Sequence, residues 1–140
     1  YMMNGLLGWL GSQAGVDGLT FELILGWLLA PLAWLMGVPW ADAPMVASLI
    51  GVKTVLNEFY AYLQLAAILG SEHDLQPRSI AITIYALSGF ANFGSIGVQL
   101  GGIGGIAPSR RHDLARLGLR AMIAGSIAAL MTATVAGMIL

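Results

Sequence analysis

Two clusters of hydrogen-bonding side chains interrupt otherwise apolar sequence, and their residue types define the chemistry open to the chain. The first lies in APMVASLIGVKTVLNEFYAYLQLAAILG (43–70), where Lys53, Asn57, Glu58 and Gln64 stand among Val, Leu, Ile, Ala and aromatic residues. The second is Asn92 with Ser95, beside Phe90, in SGFANFGSIGVQLGGIGG (88–105). A carboxylate at membrane depth costs a few kcal/mol, so such a group usually lines a cavity or an ion pathway, where it accepts hydrogen bonds or moves a proton. On a soluble chain Glu58 would simply sit on a wet surface. The bland readings are a structural Lys53–Glu58 ion pair, at a spacing of five that suits a helix less well than three or four, and interhelical hydrogen bonding by Asn and Ser. Lys53 itself reads as structural.

Composition removes the soluble option. Hydrophobic residues make up 58% of the 140 and charged residues 9%, with a mean hydropathy of +0.82. A soluble domain carries roughly a quarter charged residues, so the expected class is an all-α polytopic membrane protein. The net charge of −1 gives no basic footprint for nucleic acid. Without cysteine there is neither a disulfide framework nor a thiolate metal site. His73 and His112 sit in polar connectors and read as solvated loop residues, not metal ligands. The start YMMNGLLGWL lacks a basic region and a cleavage site, and the chain looks like part of a longer polytopic protein.

The elements that position the two clusters follow from length and glycine content. Within residues 1–20, 1–10 read as the end of a preceding helix and 11–20 as a Gly-rich polar loop. Residues 21–41 contain LILGWLLAPLAWLMGVPW (23–40), eighteen residues without a charge, which is enough for a transmembrane helix even with Pro31 inside. Trp40 and Asp42 then mark an interface. Residues 43–70 fit either one polar-centred span or, split near Asn57 and Glu58, two half-helices of roughly 20 Å each. The re-entrant hairpin is preferred, because its tip meets the bilayer midplane without facing lipid.

The segment 79–107 starts as ordinary helix (SIAITIYAL) but then holds seven glycines between Gly89 and Gly105. Glycine costs about 1 kcal/mol relative to Ala inside a helix, so a broken transmembrane helix, unwound around 89–97, is expected. On an intact helix Phe90, Asn92 and Ser95 would not share a face. Unwinding can aim them at one cavity, as the broken helices of transporters do. Gly97, Gly101 and Gly105 recur every four residues and suggest close helix packing. The last segment, 114–140, is a cleaner transmembrane helix with a small-residue ridge of Ala121, Gly125, Ala129, Ala133 and Gly137, and Ala124, Ala128, Thr132 and Ala136 beside it, a wide flat face expected to pack on other helices. Arg110, Arg111, Arg116 and Arg120 at its start make that end cytoplasmic by the positive-inside rule, with the C-terminus outside.

GVKTVLNEFYAYLQL (51–65), YALSGFANFGSIGVQLGGIGGIAPSRRHDLARLGLRAMIAG (85–125) and ILGWLLAPLAWLMGVPWADA (24–43) together resemble the C-terminal part of the concentrative nucleoside transporters. The resemblance covers essentially the whole chain. It implies a multi-pass protein of the plasma membrane (the bacterial inner membrane), assembled as a homotrimer in the bilayer. It also implies uptake of nucleosides driven by Na+ or H+. Carried over by motif, Glu58, Phe90, Asn92 and Ser95 would bind substrate: Glu58, Asn92 and Ser95 by hydrogen bonds to ribose hydroxyls, Phe90 by packing on the nucleoside. Asn57 and Gly89 would shape the backbone. Position 94 is Gly where many relatives carry Ser. No metal site and no cofactor are expected in this chain, because the coupling ion of such transporters is bound mainly outside the matching part.

Two other classes stay open on the residues alone. One is an intramembrane enzyme using Glu58 as acid or base, against which stand the lack of a second carboxylate or histidine at depth and of HExxH or GxSxG motifs. The other is a membrane scaffold or oligomerisation domain using only its glycine and alanine faces.

Overall fold

The computed structural model describes residues 2–16, 18–71 and 75–140; His73 lies outside them. Every regular element among the described residues is helical. They are α1 (Met2–Gln13), α2 (Phe21–Leu35), α3 (Ala43–Val55), α4 (Glu58–Leu69), α5 (Pro77–Leu87), α6 (Phe93–Ile106) and α7 (Arg111–Ile139), with a 3-10 turn at Pro108–Arg110 leading into the last. Of these only the Pro108–Ile139 stretch is long and apolar enough to cross a bilayer by itself. The other apolar helices are short and have to be combined to cover membrane thickness.

α1 runs on through Gly11 to Gln13, where a loop is expected from Gly11. α2 is 15 residues long, about 22 Å at 1.5 Å per residue, and passes through Pro31. It stops at Leu35 and not at Ala41, because Gly37 takes a φ of +99°, which an L side chain adopts only with strain. Asp42 departs from the interfacial role its neighbour Trp40 suggests. It is 8% exposed, and its Oδ2 accepts from the Gln76 backbone N–H at 3.1 Å and from Ser79 Oγ. The carboxylate thus occupies the N-terminal end of α5, where the free N–H groups and the helix dipole favour negative charge.

α3 and α4 form a helical hairpin. Leu49, Val52, Ala61 and Leu65 share one apolar cluster, with Met45 and Ile68 packed on it. Val52 with Ala61, Leu49 with Leu65 and Met45 with Ile68 are pairs nearly equidistant from a turn at 56–57, as a chain folding back on itself requires. α2 lies across α3, with Gly26 against the Pro44 carbonyl and Gly51 against Leu25. A second core joins Ala30, Ala33, Met36, Val46, Ala47 and Ile50 to Ile82, Ala86 and Ala133, so α2, α3, α5 and α7 share one buried layer.

The ridge expected on α7 packs in its C-terminal half, where Ala129, Ala133 and Gly137 are buried, whereas Ala121, Gly125 and the adjoining Ala124, Ala128 and Thr132 are exposed. A Cβ on Gly125 would reach the Ala91 side chain at 3.3 Å, Ala129 lies against Gly89, and Gly137 sits under the Met36 carbonyl and Ile82. The corresponding stripe on α6 behaves otherwise. Among the described residues, nothing beyond the helix's own nearby backbone lies within 4 Å of a Cβ built at Gly97, Gly101 or Gly105. α6 instead meets α7 through Ile96 on Gly118 and Arg111 on Gly104, along the edge of that stripe, since Gly104 follows Gly97 by two turns.

Candidate functional site

Both chain breaks use the same local device. α3 ends at Val55, and Asn57 takes an extended backbone (φ −167°, ψ 169°) while its side chain accepts from the Tyr60 N–H to start α4. α5 ends at Leu87, and Asn92 (φ −148°, ψ 168°) accepts from the Ser95 N–H to start α6. Asparagine is among the best residues for this position, because its short carbonyl satisfies one of the four N–H groups a helix start leaves open. The unwound stretch is narrower than the glycines suggest. It covers 88–92, and Phe93 to Gly97 is already helix, since Asn92 nucleates the turn that Gly94 and Gly97 would weaken.

The two helix starts meet. Asn92 Nδ2 donates to Glu58 Oε2 at 3.0 Å across 34 residues of sequence, and to the Phe90 carbonyl at 3.3 Å. Asn92 Oδ1 accepts from the Ser95 N–H at 2.8 Å and from Ser95 Oγ at 3.0 Å. Ser95 Oγ also donates to the Phe90 carbonyl. Asn92 is 4% exposed, while the Phe90 ring is 74% exposed and Glu58 is half-buried. Glu58 opens α4, where the helix dipole favours a carboxylate. Glu58, Asn92, Ser95 and the Phe90 backbone therefore form one connected polar group, with the Phe90 ring projecting beside it.

Phe90, Asn92 and Ser95 line a cleft of about 250 Å³ between α6 and α7, together with Gln99 and Met122. Glu58 does not line that cleft. It joins the group through the Asn92 amide, on the side of the hairpin tip. Asn57 and Gly89 act on the backbone: Asn57 caps α4, and a Cβ on Gly89 would come within 2.9 Å of Ala129 Cβ.

Lys53 does not pair with Glu58. Its Nζ, on a side chain 1% exposed, donates to the Ala86 carbonyl at 3.2 Å. The sequence reading also passes over Gln99, although it follows Ser95 by four residues and so shares its helix face. Tyr62, whose Oη donates to the Ile84 carbonyl at 2.7 Å, was legible only as an aromatic of the hairpin. Among the described residues no group of three or more metal-ligating side chains comes together.

Paired helix breaks whose N-termini carry hydrogen-bonding side chains are the architecture of a membrane transporter's binding region. Comparison with known proteins agrees. A family model described as the C-terminus of Na+ dependent nucleoside transporters matches residues 1–137. The chain is 50% identical over 127 residues to the putative nucleoside permease NupX of Escherichia coli, covering 91% of this chain and 30% of that protein. It is 44% identical over 149 residues to the sodium/nucleoside cotransporter 1 of Rattus norvegicus, covering 98% and 23%. CNTnw in an inward-facing substrate-bound state superposes with a TM-score of 0.94 at 48% identity, over 97% of this chain and 33% of that one. The chain belongs to the Na+-dependent nucleoside transporter family, in its C-terminal part, and spans about a third or less of the length of these relatives.

Proposed function

We propose that this chain supplies the ribose-binding half of the site in a cation-coupled nucleoside transporter. The observation that carries the reading is the Asn92–Glu58 hydrogen bond, which joins the tips of two broken elements into one polar group. A carboxylate offers about four lone-pair positions, and Asn92 engages only one of its oxygens. The vicinal hydroxyls of ribose are donors that suit the remainder. Asn92 and Ser95 extend the same hydrogen-bonding surface, and the exposed Phe90 ring offers an apolar face for the nucleoside. A site built to pair hydroxyls rejects ligands that leave its buried polar groups unpaired. An acid–base role for Glu58 lacks a partner carboxylate or imidazole in this group.

The whole protein would couple uptake to a cation gradient, with Na+ favoured by the family, and the ion bound mainly outside these residues. It would be multi-pass in the plasma membrane, the inner membrane in a bacterium, and a homotrimer. The 43–70 hairpin would be re-entrant, and the arginine-rich 110–120 region would face the cytoplasm.

The test is uridine uptake by the full-length transporter in vesicles with an imposed Na+ or H+ gradient, for the parent and Glu58→Gln. The amide keeps the shape but loses the charge, and a charged acceptor is roughly twice as strong as a neutral one. Uptake should fall by at least about an order of magnitude, with unmodified uridine recovered inside. Parental uptake by Glu58→Gln at normal surface levels would show that Glu58 does not bind ribose.

A further inference from the structure

Breaking α5 at Ser88 leaves its last carbonyls without the N–H groups a continuous helix would supply. Their partners come largely from the hairpin. Ile84 O accepts from Tyr62 Oη at 2.7 Å, and Ala86 O accepts from Lys53 Nζ at 3.2 Å. Tyr85 O, between them, accepts locally from the Ser88 N–H and Ser88 Oγ at 2.8 Å. Lys53 belongs to α3 and Tyr62 to α4, so each leg of the hairpin donates to the same broken end. The ammonium also meets the negative end of the α5 dipole. Its space is set by the chain beyond the break, since a Cβ on Gly89 would stand 3.5 Å from Lys53 Nζ and 2.9 Å from Ala129 Cβ.

We propose that Lys53 and Tyr62 are positioning residues, a two-point clamp that fixes the broken end of α5 against the hairpin and thereby sets the Glu58–Asn92 geometry. A single hydrogen bond would leave the hairpin free to pivot about it. Two bonds from opposite legs, to carbonyls two residues apart, remove that rotation. Only five residues separate Ala86 from Asn92, so a shift at the clamp carries directly to the Asn92 amide. Among the described residues neither Lys53 nor Tyr62 hydrogen-bonds to Asn92 or Glu58, although both lie within reach of the Glu58 charge. The clamp rests on the ribose-site reading above.

The experiment uses the full-length transporter in proteoliposomes, measuring KM and Vmax for uridine and inhibition by 2′,3′-dideoxyuridine. Tyr62→Phe keeps the ring and removes one neutral donor, which should raise the uridine KM about fivefold. Lys53→Met removes a charged donor from a buried site and should raise it at least about tenfold. Vmax per transporter should stay within about twofold, and Lys53→Arg, which keeps the charge and donors, should recover most of the loss. Inhibition by the dideoxynucleoside should barely change, since it lacks the hydroxyls the clamp serves to place. A merely structural role would lower Vmax through fewer folded transporters and leave KM alone; that result, or a parental KM in Tyr62→Phe, overturns the clamp. If Lys53→Met fails to fold, Tyr62→Phe decides. Loss of uptake in Glu58→Gln alongside parental KM in both clamp variants rejects the clamp and keeps the ribose site, whereas full uptake in Glu58→Gln rejects the site itself.

Discussion

The hairpin tip at 56–57 and the helix break at 88–92 share a local grammar and differ in everything built on it. Each has an extended Asn whose side chain caps the following helix. Yet Asn57 is exposed, and its side chain serves only that cap among the hydrogen bonds of the described residues. Asn92 is buried and holds Glu58, Phe90 and Ser95 together. The donors follow the same asymmetry. The hairpin exports Lys53 and Tyr62 to carbonyls of α5, while α3 closes its own end with the Leu56 N–H on the Val52 carbonyl. A helix cap thus becomes a site residue when its amide has spare donors and a buried partner across the fold. The cap itself is common to both.

Removing the two asparagines breaks or upholds that distinction, and the largest effect is expected here. Asn92→Ala removes a cap and also strips a half-buried carboxylate of its donor. Uridine uptake by the full-length transporter should fall by at least about an order of magnitude, in line with leaving a buried polar group unsatisfied. Asn57→Ala should cost only a cap, about 1 kcal/mol of stability, with uptake per surface transporter within about threefold of the parent. Equal losses in the two variants would mean that both breaks contribute directly to the site.

Gly89→Ala probes the packing under the second break and should have a middling effect. The added methyl would stand 2.9 Å from Ala129 Cβ, on the rigid face of α7. Overpacking of this kind costs about 1–3 kcal/mol, so the detergent-solubilised transporter should melt several degrees lower. Ala129→Gly in the same chain should restore the melting temperature, because it vacates the contacted atom. An unchanged melting temperature in Gly89→Ala would show that the break yields where it is described as held.

Much of this arrangement was legible in the sequence, for reasons that name its limits. Polar residues in apolar sequence marked Glu58, Asn92 and Ser95, and glycine density marked a break between 89 and 97. The break's true extent was not visible, because Asn92 starts a helix through residues that glycine propensity alone would unwind. The small-residue ridge of α7 packs only in its C-terminal half, where Ala129, Ala133 and Gly137 are buried; Ala121 and Gly125 stay exposed. The same spacing on α6, at Gly97, Gly101 and Gly105, meets no partner among the described residues, so spacing shows which face can pack and not what packs on it. Lys53 was beyond reach in a different way. Its partner is a backbone carbonyl 33 residues on, and carbonyls carry no residue type for a sequence to display. Asp42 differs from its sequence reading for a similar reason, as its partners are the Gln76 backbone and Ser79, an anchor that only the meeting of the α3 start with the α5 start creates.

The smallest expected effect lies where the two breaks touch without bonding. A Cβ on Gly94 would stand 3.2 Å from Asn92 Oδ1 and 3.8 Å from the Leu56 carbonyl, so this position sees both the helix start and the hairpin tip. Gly94→Ser puts a hydroxyl there. Its methylene crowds the Asn92 carbonyl by a few tenths of an ångström, which the first turn of α6 can absorb. Its O–H can donate towards Leu56, whose carbonyl lies at the end of α3 where intrahelical donors have run out. Serine is also a better helix former than glycine. These contributions oppose one another at about 1 kcal/mol or less each, so the uridine KM should move by less than about threefold with expression unchanged. A tenfold rise would mean that Asn92 cannot yield at all, and that the Asn92–Glu58 bond is held more tightly than its neighbours alone require. A tenfold fall would mean that a hydroxyl at 94 joins the site, making the two breaks functionally alike where their present side chains make them different.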